Sequence, residues 1–453
     1  MLGSRCASSL VVSALLCATT AAADDIDLTL YRDGDTYLQP TIRLDSAFFA
    51  ERNAWFSKSR ENAGDHVGYW GEFGVMPGLE GAYSLGENGT LRGRVSGVWT
   101  TTQFGLDAAG SNLDDRHPSH VTLEDLYVGW SSGDLFPALG KDAIDLSFGS
   151  QKYQVGSGFL FWDGASDGGS RGGFWLGMRK AFQLAAIARL KTGPFMGELV
   201  YLQPNDNPHS GTKVTGVNLE WTFNENAKLG GGYWFFADSE DFRRDGLDVF
   251  DLRGAFHPLP CLPGLVLNGE GVYERNGSFN ESWAGYAELG YGFDELGWKP
   301  FVSYRYAGFS GDRGGDSQIE GFDPIYYGLS DWSTWYIGEL FGGFMATNRN
   351  LDVQTVRGRI APAEGWTVNL IYSYFRLDEF ATELQPREFD PRIVNITDKT
   401  LGHEVDLTVD WAMNDHVLWS AVLGTLFPSD GLQQATGGNS VWVHAMLYAS
   451  LSF

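Results

Sequence analysis

Only three of the 453 residues are cysteine, and two of them, Cys6 and Cys17, lie in the first 23. The remaining Cys261 has no partner, which excludes a disulfide framework. Long uncharged apolar runs are missing beyond the N-terminal segment, so transmembrane helices are not expected. Convincing helical periodicity is missing as well. Basic residues are few: 32 Lys and Arg stand against 57 Asp and Glu, a formal charge of -25. That balance excludes nucleic-acid binding through a basic face.

The N-terminus has Arg5, an apolar run from Leu10 to about Ala18, and Ala21-Ala22-Ala23 before Asp24. This is the pattern of a secretory signal peptide, residues 1–23, cleaved after Ala23. Losing Arg5 takes the mature chain, 24–453, to about -26. The chain holds 59 Gly, 19 Tyr and 16 Trp, yet its mean hydropathy is only -0.19. Glycine-punctuated, aromatic-rich extended segments on a secreted chain describe an outer-membrane β-barrel, where only alternate residues meet lipid.

The closing stretch "VWVHAMLYASLSF" has that alternation. Val441, Val443, Ala445, Leu447, Ala449, Leu451 and Phe453 fall on one side, Trp442, His444, Met446, Tyr448, Ser450 and Ser452 on the other. Short connections are expected at 86–89, 191–194, 224–227, 362–365 and 413–415. Long polar ones are expected at 50–65, 104–119, 156–171, 203–211, 237–246, 310–343, 378–399 and 428–440. In such barrels short turns face the periplasm and long loops face outward. The segment 172–190 keeps Phe174, Leu176, Met178, Phe182, Leu184 and Leu190 in one phase, so it is taken as one long strand. The stretch 335–343 is assigned to the seventh outer loop. The result is one all-β domain: a transmembrane antiparallel barrel of about 18 strands, wide enough for an aqueous channel.

Alternation also assigns the wet face. Arg43 and Asp45 point inward on the first strand, Arg92, Arg94 and Ser96 on the third, Arg179 and Arg189 on the sixth. Later strands contribute mostly acids: Glu198, Glu220, Glu270, Glu288, Glu404, Asp406 and Asp410, interrupted by Arg253 and Arg305. A basic wall opposite Glu220, Glu404 and Asp406 would set up a transverse field that orients polar solutes. The acids of the seventh loop (Asp312, Asp316, Glu320, Asp323, Asp331, Glu339) lack the fixed spacing of a calcium loop and read as solvated surface. Whether any of them holds a metal is left open. "GASDG", 164–168, matches a nucleophile elbow at Ser166, but that chemistry needs a strand-turn-helix and here the motif sits in a glycine-rich loop. No enzyme activity and no cofactor are expected.

Three stretches resemble the bacterial alginate-export family of outer-membrane barrels. The first holds Phe322-Asp323-Pro324, Trp332 and Gly338-Glu339; the second runs over 401–430; the third joins 123–130 to 146–163. The resemblance implies an 18-stranded barrel in the Gram-negative outer membrane, surrounded by lipid and lipopolysaccharide, that passes polysaccharide through an arginine-rich pore. Ser150 stands where that family commonly has an arginine after the glycine, Gly149, and the mature charge is negative. The resemblance therefore supports a channel for hydrophilic solutes more strongly than it supports alginate as cargo. A polymer exporter would need periplasmic partners to feed it; an uptake porin for small polar solutes would not.

Overall fold

The computed structural model describes residues 28–57, 68–224, 226–257, 259, 261–277, 279–314, 318–328, 337–380, 383–384, 393–394 and 396–453. The expected signal peptide lies outside the described residues, as do Asp316, Asp331 and Trp332.

Eighteen antiparallel strands close on themselves. The first six are β1 (Thr36–Arg52), β2 (Tyr69–Ser84), β3 (Thr90–Gln103), β4 (Ser119–Ser131), β5 (Ile144–Gln151) and β6 (Phe182–Thr192). The middle six are β7 (Phe195–Gln203), β8 (Lys213–Asn224), β9 (Ala227–Asp238), β10 (Asp248–Phe256), β11 (Leu265–Asn276) and β12 (Asn280–Gly292). The last six are β13 (Phe301–Phe309), β14 (Leu351–Ile360), β15 (Trp366–Arg376), β16 (Thr400–Ala412), β17 (Val417–Pro428) and β18 (Trp442–Ser452). Pairing of β18 with β1, from Arg43↔Ser452 to Arg52↔Val443, seals the cylinder. The terminal Phe453 extends the seam, exchanging both backbone hydrogen bonds with Ile42 at 2.9 and 3.0 Å. A closed sheet leaves no unpaired edge, which a spanning structure in lipid requires.

The pleat separates two chemistries. Leu79, Leu91, Val95, Leu126, Val128, Leu199 and Leu447 stand exposed on the outside, while Ser96, Glu198, Glu288, Arg305 and His444 are buried on the inside. Aromatic pairs ring the short-turn end, among them Trp366–Trp411 at 5.1 Å and Phe195–Trp221 at 6.2 Å. Tyr233 and Phe250, 5.1 Å apart, do the same near the long-loop end. Two aromatic girdles around an apolar band fit a membrane with two interfaces. No described helix is long and apolar enough to cross a membrane.

Two expectations need correction. Residues 172–181 are not strand; β6 begins only at Phe182. Gly172, Gly173 and Gly177 take positive φ of 66°, 62° and 50°, a left-handed backbone that ends strand pairing. A register shift between Gly149 and Gln151 then lets both Phe182 and Ala185 turn inward, so the apparent single phase breaks. Connection length also alternates imperfectly. The link 277–279 on the long-loop side is short, and 132–143, 257–264 and 293–300 on the other side are longer than hairpin turns. The order of the strands nevertheless keeps the parity that connection length obscures.

Candidate functional site

Two loops fold into the barrel instead of away from it. The third, 152–181, follows the wall from β5 toward β12. Tyr153 OH donates to Glu198 Oε2 at 3.4 Å, and Ser157 Oγ lies 3.4 Å from Tyr286 OH. Between them Gly156 has φ +52° and presses so close to Arg253 that an added Cβ would lie 2.9 Å from its Cδ. The seventh loop, 310–350, also turns inward, and its described residues 337–346 are all buried. The loops join by backbone: Trp162 and Asp163 N–H donate to the Tyr326 carbonyl at 2.8 and 2.9 Å, and Gly328 N–H to that of Gly158 at 3.0 Å. A core of Phe159, Phe161, Phe182, Trp234, Phe309 and Tyr326 fills this junction.

Wall glutamates clamp the loops. Glu72 on β2 accepts the Trp175 and Leu176 N–H groups, both at 2.9 Å. Glu124 on β4 accepts those of Lys180 and Ala181 at 2.8 and 2.9 Å. Glu404 on β16 accepts those of Leu340 and Phe341 at 3.0 and 2.9 Å. A carboxylate receiving two adjacent backbone donors satisfies groups that an inward loop would otherwise bury unpaired. Glu124 can serve only because a register shift between Val95 and Gly97 turns both Glu124 and Asp125 inward.

Ion pairs add to the clamps. Arg244 on the connection between β9 and β10 grips Asp323 through two hydrogen bonds, 2.7 and 2.8 Å. Burial alone would raise that carboxyl, but the guanidinium holds it well below the usual carboxylate range. Asp323 and Glu339 are thus interior groups of the seventh loop, not the solvated surface expected of them. Arg179 is likewise a loop residue, fully buried, with Nη1 2.6 Å from Asp167 and 2.7 Å from Thr100 Oγ1. It braces the third loop and does not stand on the wall. Burial pushes Asp167 up to about 6 even beside Arg179.

The other arginines expected at the lumen are on it. Arg43 meets Asp45 at 2.6 Å, Arg92 meets Asp145 at 2.7 Å, and Arg94 meets Glu80 and Asp125 at 2.8 and 3.0 Å. Arg189 meets Glu198 at 2.5 Å. Arg253 is held by Asp251 at 2.8 Å and Glu220 at 2.9 Å, and Glu220 also takes Lys228 at 2.6 Å. Glu404 and Asp406 are wholly buried beneath the seventh loop. The expected field between a basic and an acidic wall is therefore not assembled: the partners neutralise each other within one strand or across one or two neighbouring strands.

Positive charge gathers elsewhere. A cavity of about 390 Å³ beside the third-loop tip is lined by five basic side chains, Lys228, Arg253, Arg305, Arg357 and Arg359, and two acids, Glu270 and Glu288. Arg305 lies 5.7 Å from the Tyr286 ring centre, Arg359 lies 5.0 Å from that of Phe301, and Arg357 Nε donates to Asn369 at 3.0 Å. Arg357 and Arg359 were missed, although the same alternation finds them opposite outward-facing Val356.

The model of the alginate export family matches residues 98–444. The chain belongs to the alginate-export family. No curated protein matches it. Among solved structures it is similar to OccK5 (OpdH) of Pseudomonas aeruginosa, at 10% identity and TM-score 0.57, covering 92% of this chain and 98% of that one. It is similar to Pseudomonas aeruginosa OpdK with vanillate, at 12% identity and TM-score 0.56, with the same coverage. Acinetobacter baumannii OccAB1 matches at 11% and 0.56, covering 92% and 97%. At such identities the structures speak for the fold, an 18-stranded outer-membrane barrel. As a member of the alginate-export family the chain is an outer-membrane channel, set in lipid and lipopolysaccharide and open to hydrophilic solutes.

Proposed function

We infer that this channel passes anionic hydrophilic solutes, with sugar acids or short polyuronates as the class, by passive diffusion and without catalysis. The observation that carries this is the cavity's lining: Lys228 and Arg253 are offset by Glu220 and Asp251, and Arg305, Arg357 and Arg359 stand against Glu270 and Glu288, in a protein whose overall balance is strongly acidic. Lumen charge acts at close range on a permeating ion, whereas surface charge more than a Debye length away, about 10 Å at 0.1 M salt, is screened. Arginine also suits carboxylates through its planar donor fork.

A second reading has its own support. The inward third and seventh loops leave less room than an open barrel, which suits small solutes better than a thick polymer. OpdK, of the same architecture, was solved with vanillate, a small carboxylate. Uptake of a small organic acid would need no partner, whereas export of a polymer would add periplasmic partners at the short-turn end. Both readings share an anionic cargo. The test is ion-current block in planar bilayers. Galacturonate and its oligomers should interrupt the current at millimolar concentration while neutral galactose does not. Equal block by acid and neutral sugar would remove the inference. Block by monomer alone would favour uptake of small acids.

A further inference from the structure

Beneath the seventh loop lies a charged cluster that solute passage does not require. Glu339 of the loop accepts the Trp175 indole N–H from the third loop at 3.3 Å. β16 supplies Glu404, which holds the Leu340 and Phe341 amides, and Asp406, set against the Glu404 carboxyl and the Glu339 backbone N–H. β1 supplies Glu51, and β18 supplies His444, whose Nδ1 lies 2.5 Å from Glu51 Oε1 while Nε2 has no partner. Trp442 Nε1 donates to the other Glu51 oxygen at 2.6 Å. β15 and β17 place Ser373, Ile371, Leu426 and Gly424 opposite Glu404 and Asp406. Further off, Asp410 on β16 is held by Ser420, and Glu72 on β2 by Trp70 and the third-loop amides.

Glu339, Glu404, Asp406 and the Glu51 side chain are buried, and among the described residues no Lys or Arg reaches ion-pair distance of any of them. One imidazole faces four carboxyl groups. Carboxylates this close and this buried, with no second cation among the described residues in reach, do not all ionise. Among the described residues no three such groups are placed to hold a metal ion. Protons therefore balance the cluster. Burial pushes the Glu339 carboxyl up in keeping with this. The loop is also pressed close: a Cβ on Gly338, φ +87°, would lie 2.5 Å from Glu404 Oε1.

We propose that Glu339, Glu404 and Asp406 form a proton-operated latch that holds loop segment 337–346 inside the barrel and releases it as pH rises. With protons bound, the carboxyl groups sit side by side and the loop is clamped. When a proton leaves to solvent, the new charge repels its neighbours across the loop–wall contact, and the segment moves off β16 and β18. The passage then widens or fluctuates.

The test compares the intact protein in bilayers and in detergent with Asp406→Asn and Glu339→Gln, each checked for heat-modifiable folding. Amide protection of 337–346, corrected for intrinsic exchange, should fall at least about tenfold between pH 6 and pH 9 in the natural protein, with rising conductance or open-channel noise. Both variants should stay protected and quiet over that range. Protection that does not change with pH in the natural protein overturns the latch, and so does an unchanged pH response in both variants. Block by galacturonate, read separately, tests the cargo and not the latch.

Discussion

Arginines stand on the wet faces of β1, β3 and β6, and again on β10, β13 and β14, but the two sectors use them differently. On the first three strands each arginine meets a carboxylate on its own or a nearby strand, at 2.5 to 3.0 Å. On the later strands Arg253 also has acidic partners, but Arg305 and Arg359 lie over aromatic rings and Arg357 bonds an amide beside an open cavity. One sector knits strands together, and the other lines the cavity on which the proposed anion preference rests. Facing the lumen is thus not enough for a charge to act on a solute; the neighbours that register places beside it decide.

The comparison can be broken most directly at β14. Arg357→Glu with Arg359→Glu should lower the anion-to-cation permeability ratio by about three- to tenfold, read from reversal potentials in a salt gradient. Arg92→Ala with Asp145→Ala, which removes both members of one ion pair, should move that ratio far less, because the two charges already cancel. That change should instead lower stability, by about 0.5 to 1.5 kcal/mol for one partly exposed ion pair, read as a lower temperature for loss of the folded band. If loss of the Arg92–Asp145 pair shifts selectivity as much as the β14 change, the two sectors are not distinct.

The seventh loop sharpens the contrast from a third direction. Arg244→Ala strips the buried Asp323 carboxylate of its two guanidinium hydrogen bonds and leaves it Arg349 and the Ile325 N–H, so removal should cost about 2 to 4 kcal/mol locally and expose 318–328 to protease. Since the Asp323 carboxyl lies below its unfolded value, its contribution is complete above the ordinary carboxylate range and is lost only as pH falls through the depressed folded value. Amide protection near Asp323 should therefore stay level from pH 6 to pH 9, the window in which segment 337–346 is expected to change.

Much of this was legible in sequence. A period of two placed Arg43, Arg92, Arg94, Arg189, Arg253 and Arg305 on the wet face, and it holds at each. What it could not supply was depth and partner. Glu404 and Asp406 are on the wet side as expected, but whether a wet-side acid meets water or a folded-in loop depends on a contact some 65 residues away in the chain. Arg179 was misplaced for a related reason. Phe174, Leu176 and Met178 are apolar because they pack into a loop junction, and in sequence that looks the same as packing against lipid. Bulges did the rest: register shifts beside Ser96 and Ser150 invert the local phase, and no residue type announces them.

The weakest expected effect is at the seam. Deleting Phe453 removes one pair of backbone hydrogen bonds and a ring stacked 4.9 Å from His416, so it should slow assembly without changing selectivity. The heat-modifiable fraction in outer membranes reads it.

The central claim is that local lumen charge, not total charge, sets what this channel accepts. The reversal potential of single channels of the natural protein, in a potassium chloride gradient at low salt, tests it most directly. A sign corresponding to anion preference, in a chain of formal charge -25, is the result expected from the basic cavity. A cation preference would contradict the account.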